Sequence, residues 1–190
     1  MKKLVVFSLV GIICCVGSPN LMAAFPVNVG VHGGMNTTKM NVSTSGVNVS
    51  MKAGYMVGAF ARLNAGPIYV EPSLNYAHRT SEIGGDKVQY SSFDVPVMVG
   101  YYLLDVPLFK LRACIGPVAS FPGDLKTTIL GKEAKMDMKT TLWSGKLGVG
   151  VDVWKATFDF EYEQGLTKLN KDFGVKAPSI FNITLGFKFI

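Results

Sequence analysis

Residues 148–166, GVGVDVWKATFDFEYEQGL, decide the fold of this chain of 190 residues. Residues 148–153 alternate valine with glycine or aspartate, and residues 158–163 alternate an aromatic side chain with a carboxylate. Successive side chains of a strand point to opposite faces of a sheet. Both segments are therefore predicted strands, each with an apolar and a polar face, joined by a short turn around 154–156. A soluble sheet would bury the apolar face, whereas a membrane barrel would turn it toward lipid.

The same alternation recurs along the rest of the chain. It predicts eight strands, at residues 26–36, 51–64, 67–78, 88–104, 108–120, 141–153, 157–166 and 178–190. No apolar stripe at helical spacing follows residue 25, so this part of the chain is predicted to be all-β. The 21 aromatic residues and a hydrophobic content of 48% exclude intrinsic disorder.

The first 24 residues have the features of a secretory signal peptide. Lys2 and Lys3 precede an apolar run at 4–16, which is shorter than the roughly 17 residues that a membrane-spanning helix needs. We expect cleavage near Ala23 or Ala24, leaving one domain at residues 25–190. That domain retains a single cysteine, Cys114, which excludes a disulfide framework within it.

The polar faces of the predicted strands carry all of their charged side chains. The basic and acidic members balance: Lys52, Arg62, Lys110, Arg112, Lys146 and Lys188 against Glu71, Asp94, Asp152, Asp159, Glu161 and Glu163. A soluble sandwich or a lipocalin would expose this face to water. The signal peptide, the large aromatic residues of the apolar face and the glycines of the polar face favour the membrane alternative, because a narrow lumen leaves little room. We predict an eight-stranded antiparallel transmembrane β-barrel, an up-and-down meander with a charge-filled lumen.

The predicted connections alternate between long and short. Long ones fall at 37–50, 79–87, 121–140 and 167–177, and short ones lie around 65–66, 105–107 and 154–156. Outer-membrane barrels have short periplasmic turns and longer outside loops. Both termini are therefore expected in the periplasm and the long loops outside the cell. Aromatic residues near both ends of the strands, such as Tyr101 and Phe187 at one end and Tyr55 and Trp143 at the other, predict two interfacial girdles.

Four further segments carry a family resemblance together with residues 148–166. They are IYVEPSLNYAHR at 68–79, FDVPVMVGYYL at 93–103, LRACIGPVASF at 111–121 and ITLGFKFI at 183–190. The chain resembles the outer membrane protein beta-barrel domain family, small eight-stranded barrels that are distantly like the OmpA and OmpX type. The resemblance implies insertion by the barrel-assembly machinery. The chain departs from the usual assembly signal, because Ile190 and not an aromatic residue is last.

No phosphate-binding loop, zinc-spaced cluster or nucleophile elbow occurs in the sequence. We therefore expect no enzyme, no cofactor and no metal site. His78 with Ser81 and Glu82 is the one candidate set for a lipid-modifying enzyme, which remains an alternative. His32 and Cys114 fall on the polar face, where packing is the simpler role.

The net charge of +6 falls to +4 without Lys2 and Lys3, and the excess lies in the long loops. The third and fourth loops carry seven lysines against four acids; Lys168, Lys171 and Lys176 are candidates for anion contact. The expected partners are outer-membrane lipid, lipopolysaccharide and an acidic surface ligand, with nucleic acid excluded. The sequence thus predicts a monomeric structural or surface-interaction protein. A small porin-like channel is the principal alternative, and bilayer conductance separates the two.

Overall fold

A computed structural model describes residues 26–39, 49–83, 86–123, 125–129, 132–136, 141–166 and 179–190. These residues form ten strands: β1 (Val27–Lys39), β2 (Val49–Ala65), β3 (Ile68–Ile83), β4 (Asp86–Val106), β5 (Phe109–Pro122), β6 (Leu125–Ile129), β7 (Lys132–Met136), β8 (Leu142–Val153), β9 (Ala156–Gly165) and β10 (Ser179–Lys188). No helix in the described ranges has the length and hydropathy needed to cross a membrane. The predicted signal peptide lies outside the described residues.

Eight of the strands close into a barrel. β1, β2, β3, β4, β5, β8, β9 and β10 pair antiparallel in this order, and β10 pairs with β1 to complete the ring. The predicted eight-stranded up-and-down meander is confirmed. Closure leaves none of these eight strands with an unpaired edge in the membrane, where no water could satisfy its backbone groups.

The register fixes the stagger of the barrel. Successive paired residues around the ring are Val27, Leu63, Val70, Val99, Ile115, Leu147, Tyr162, Phe181 and Thr37. This path returns to β1 ten residues beyond its start, from Val27 to Thr37, so the shear number is ten. In an eight-stranded barrel that stagger inclines the strands by about 40° and leaves an interior that side chains can fill.

Side-chain burial in the barrel is the reverse of that in a soluble protein. Val149 and Leu185 are 51% and 64% exposed on the outer wall, whereas Arg62 and Arg112 are only 1% exposed in the lumen. In the structure the apolar side chains of these strands lie on the outer wall and the two arginines lie in the lumen. Large aromatic side chains lie toward both ends of the outer wall. Those at the loop end, called here the outer belt, are Tyr55, Tyr76, Phe93, Trp143, Tyr162 and Phe181.

The predicted long connection at 79–87 is wrong. β3 and β4 continue as paired strands as far as Ile83 and Asp86, which leaves two glycines between them. Hydrophobic alternation ends near His78, but backbone pairing does not depend on apolar side chains and continues to the end of the hairpin. A two-residue Gly-Gly connection is itself a hairpin signal.

The predicted loop at 121–140 also contains strands. β6 and β7 form a hairpin, and β6 pairs with the extended part of β4 through Val88 and Gln89. The five-residue strands are too short and too polar for alternation to be distinguished from a loop. The sequence therefore predicts the eight strands that span the membrane but not this added hairpin.

Glycines on the inner wall leave room for the large charged side chains. A Cβ atom at Gly150 would lie 2.7 Å from Cζ of Arg112 and would also meet the carboxylate of Asp159, whereas one at Gly145 would meet nothing within 4 Å. We expect Gly150→Ala to lower the free energy of unfolding by about 1–3 kcal/mol, because it overpacks the lumen. Gly145→Ala, the matched control, should stay within about 0.5 kcal/mol. Urea unfolding of the refolded barrel in lipid vesicles measures both, and equal effects would contradict the lumen packing.

Candidate functional site

The lumen holds two layers of charged side chains. The layer nearer the short turns, called here the turn-side layer, consists of Arg62, Glu71, Arg112, Asp152, Asp159 and Lys188. The layer nearer the long loops, the loop-side layer, consists of Arg79, Asp94, Lys146, Glu161 and Glu163. Among the described residues no ion pair joins the two layers.

Asp152 is the central acceptor of the turn-side layer. Its Oδ2 accepts hydrogen bonds from Nη1 of Arg62 at 2.6 Å and from Nζ of Lys188 at 3.0 Å, and its Oδ1 accepts one from Nε of Arg112 at 3.0 Å. The three cations come from β2, β10 and β5, so closure of the barrel is what brings them to one carboxylate. Asp152 is 2% exposed.

Two further ion pairs complete the turn-side layer. Nε of Arg62 lies 2.5 Å from Oε2 of Glu71, and Nη2 of Arg112 lies 2.5 Å from Oδ1 of Asp159. The guanidinium of Arg62 also lies over the Tyr69 ring, 5.0 Å from its centroid. Three basic and three acidic groups thus form a neutral, paired layer across the lumen.

The loop-side layer contains two close ion pairs and one carboxylate that lies near both of their basic groups. Nη2 of Arg79 lies 2.6 Å from Oδ2 of Asp94, and Nζ of Lys146 lies 3.0 Å from Oε2 of Glu161. Oε2 of Glu163 lies 4.0 Å from both of these cations, while its Oε1 accepts a 2.5 Å hydrogen bond from Ser144. Each basic group therefore has one close acidic partner and one more distant one.

Arg79 is a lumen residue that the sequence analysis missed. The predicted third strand ended at His78, which assigned Arg79 to a loop, but in the structure it is buried within β3. The signal was present, because Arg79 stands an even number of residues after Glu71 and so shares its face.

Lys110, predicted to belong to the lumen network, lies at the short-turn rim of the lumen and not in the turn-side layer. Its Nζ lies 2.8 Å from Oδ1 of Asp105, and its side chain is about one third exposed at the short-turn end of the barrel. Lys110 is the second residue of β5. Its side chain is therefore on the inner face of the barrel but at the rim of the lumen. Lys155, at the same end of the barrel, donates from Nζ to the carbonyl of Phe189 at 3.2 Å.

Four of the predicted site lysines lie outside what the structure describes. The backbone of Lys52 pairs with Thr38, but its side chain is outside the described set. Lys168, Lys171 and Lys176 fall between β9 and β10, outside the described residues altogether. Their predicted contact with anions therefore stays a prediction.

The cavity at the loop end of the lumen is small. It is lined by Arg79, Tyr90, Ser120, Ser144 and Glu163, among others, and has a volume of about 30 Å³. This volume has room for about one or two water molecules. The cavity is thus far smaller than a substrate or a hydrated solute of porin size would require.

The two histidines have different environments. Nε2 of His32 lies 2.7 Å from Oδ1 of Asn75 in the lumen, and the His32 ring stacks on Phe60, which fits the predicted packing role. His78 faces outward instead, with Nδ1 3.1 Å from Oγ of Ser91 on β4. Its predicted partners Ser81 and Glu82 lie further along β3, with side chains outside the described set.

Comparison with known proteins agrees with this geometry. The model of the family described as "Outer membrane protein beta-barrel domain" matches residues 22–171. Among solved structures, Neisserial surface protein A has a TM-score of 0.55 at 11% identity, covering 85% of this chain and 97% of that one. Ail, the attachment invasion locus protein of Yersinia pestis, has a TM-score of 0.54 at 14% identity, covering 86% and 97%. At these identities the likeness shows the fold alone. A comparison with curated protein sequences found no match.

Proposed function

This chain belongs to the outer membrane protein beta-barrel domain family, and from this premise we propose that it is a non-conducting, non-catalytic barrel that presents cationic loops at the bacterial surface. Family membership and fold make it an integral outer-membrane protein. The observation that carries the proposal is the paired turn-side layer, in which Asp152 holds three cations. Because this layer of paired side chains crosses the lumen, the proposed role is that of a rigid scaffold and not that of a path for solutes.

The proposed orientation follows from the connections. The short turns at Gly66, Leu108 and Trp154 and the first and last described residues, Pro26 and Ile190, lie at one end of the barrel, which we assign to the periplasm. The β6–β7 hairpin and the segments around Lys139 and Lys171 then lie outside the cell. We propose a monomer, inserted by the barrel-assembly machinery.

The proposed partners are anions of the cell surface or of an acidic ligand. Seven lysines against four acids in the third and fourth loops give a cationic display above the outer leaflet. The nearest anions there are lipopolysaccharide phosphates and acidic sugars. Contact between exposed charges is screened by salt, because the Debye length falls from about 10 Å at 0.1 M to about 3 Å at 1 M.

Binding to a soluble polyanion tests this proposal. Ail has been solved in complex with the heparin analogue sucrose octasulfate, which is therefore a suitable probe. We expect the refolded barrel to bind it at 0.1 M salt, to lose most of that binding at 1 M, and to bind less after Lys168, Lys171 and Lys176 are all changed to Gln. Lys155→Gln, at the opposite end of the barrel, is the control and should change nothing. Binding indifferent to salt and to the triple substitution would contradict the proposed display.

A further inference from the structure

A polar and aromatic cluster lies on the outer wall of the barrel, where lipid is the neighbour. The register places Tyr55, His78 and Ser91 side by side on β2, β3 and β4, with Tyr76 and Phe93 paired one step nearer the barrel centre. The rings of Tyr55 and His78 stack at 5.2 Å, and those of Tyr76 and Phe93 meet at 5.4 Å. Tyr55 and Phe93 are both more than half exposed.

Hydrogen bonds within the cluster orient the imidazole of His78. Oη of Tyr76 donates to Oγ of Ser91 at 3.0 Å, and Oγ of Ser91 lies 3.1 Å from Nδ1 of His78. The serine hydroxyl has one proton and two lone pairs, so it can donate to Nδ1 while it accepts from the tyrosine, and in that arrangement the ring carries its hydrogen on Nε2. In that arrangement Nε2 is a donor, and it makes no hydrogen bond to a described residue.

A donor on this wall that makes no hydrogen bond within the protein is free to bond an acceptor of the surrounding lipid. The cluster belongs to the outer belt, the level at which aromatic side chains meet lipid headgroups. Phosphate oxygens are strong acceptors there. The exposed faces of Tyr55 and Phe93 on either side can pack against the apolar face of a sugar ring.

We propose that Tyr55, His78, Ser91 and Phe93 form a binding site for the phosphorylated sugar headgroup of an outer-leaflet glycolipid, with Nε2 of His78 donating to the phosphate. The site rests on the proposed orientation of the barrel, which places the outer belt in the outer leaflet. It does not involve the loop lysines. It gives one wall of the barrel a fixed lipid neighbour, apart from any ligand held by the loops.

Native mass spectrometry of the refolded barrel in detergent tests the site. The probes are diphosphoryl lipid A, the same lipid dephosphorylated, and phosphatidylglycerol. We expect the barrel to bind the diphosphoryl form more tightly than the other two. His78→Phe keeps a ring against Tyr55 but removes the donor, and should weaken binding of diphosphoryl lipid A about tenfold, the effect of one hydrogen bond to a charged group. Ser91→Ala should weaken it less.

Tyr162→Phe is the matched control. Tyr162 lies on β9 in the same belt and donates to Oε1 of Gln164 at 2.7 Å, but has no histidine beside it. Loss of the Tyr162 hydroxyl should leave binding of diphosphoryl lipid A unchanged. Equal binding of the three probes, unchanged binding after His78→Phe, or an equal loss after Tyr162→Phe would each overturn the site. Those results would not touch the proposed loop display, which depends on Lys168, Lys171 and Lys176.

Discussion

Replacing Asp152 by asparagine is expected to lower the free energy of unfolding by about 3–5 kcal/mol. The substitution keeps the size of the side chain but removes the charge that three cations share at 2.6–3.0 Å. Arg62 retains Glu71 and Arg112 retains Asp159, but Lys188 loses its only ion-pair partner among the described residues. The turn-side layer then holds three positive charges against two negative ones in a largely buried site. Urea unfolding of the barrel in lipid vesicles measures the loss.

Asp105→Asn is the matched control for this prediction. It also removes a carboxylate from a lysine, but Asp105 and Lys110 are each at least one third exposed at the rim. Exposed ion pairs contribute about 0–1 kcal/mol, so the control should unfold almost like the wild type. If the Asp152 and Asp105 variants lost the same stability, the turn-side layer would not be the buried network described above.

The second large effect is expected on the outer wall. Val149→Arg should cost about 2–4 kcal/mol of unfolding free energy, because it puts a charge near the midplane of the hydrocarbon layer. Val149 lies midway along its strand, between the two aromatic ends of the wall. Unfolding of the refolded barrel in vesicles again provides the measurement.

Val153→Arg separates the effect of depth from that of the substitution. The two valines are on the same strand and equally exposed, at 51% and 52%, but Val153 lies at the short-turn end. An arginine near the interface costs about 0–1 kcal/mol. A cost at Val149 no larger than at Val153 would mean that this wall does not face hydrocarbon.

The faces of the barrel could be predicted because alternation is local. In residues 148–166 the alternation of apolar and polar neighbours indicates the face of the sheet on which each side chain lies. The structure agrees for Val149, Asp152 and Phe158. The ends of the strands were less predictable. Apolar residues stop where the membrane stops, whereas backbone pairing of β3 and β4 continues to Ile83 and Asp86. Arg79 was misplaced for this reason.

The pairing inside the lumen could not be predicted from the sequence. The partners of Asp152 are Arg62, Arg112 and Lys188, which stand 90, 40 and 36 residues away. Which of the lumen charges meet depends on the shear of the closed barrel, and alternation carries no information on shear. The same holds for His78, whose contact with Ser91 follows from the register of β3 against β4. The sequence shows only that such side chains share a face.

The central claim is that the charged layers close the lumen, and conductance across a planar lipid bilayer tests it most directly. The interior of an eight-stranded barrel is just wide enough for side chains to fill, and here paired side chains from β2, β3, β5, β8, β9 and β10 cross it. Purified barrel is expected to insert without producing stable current steps. Stable, ohmic conductance of porin size from the same preparation would contradict the account and support a channel.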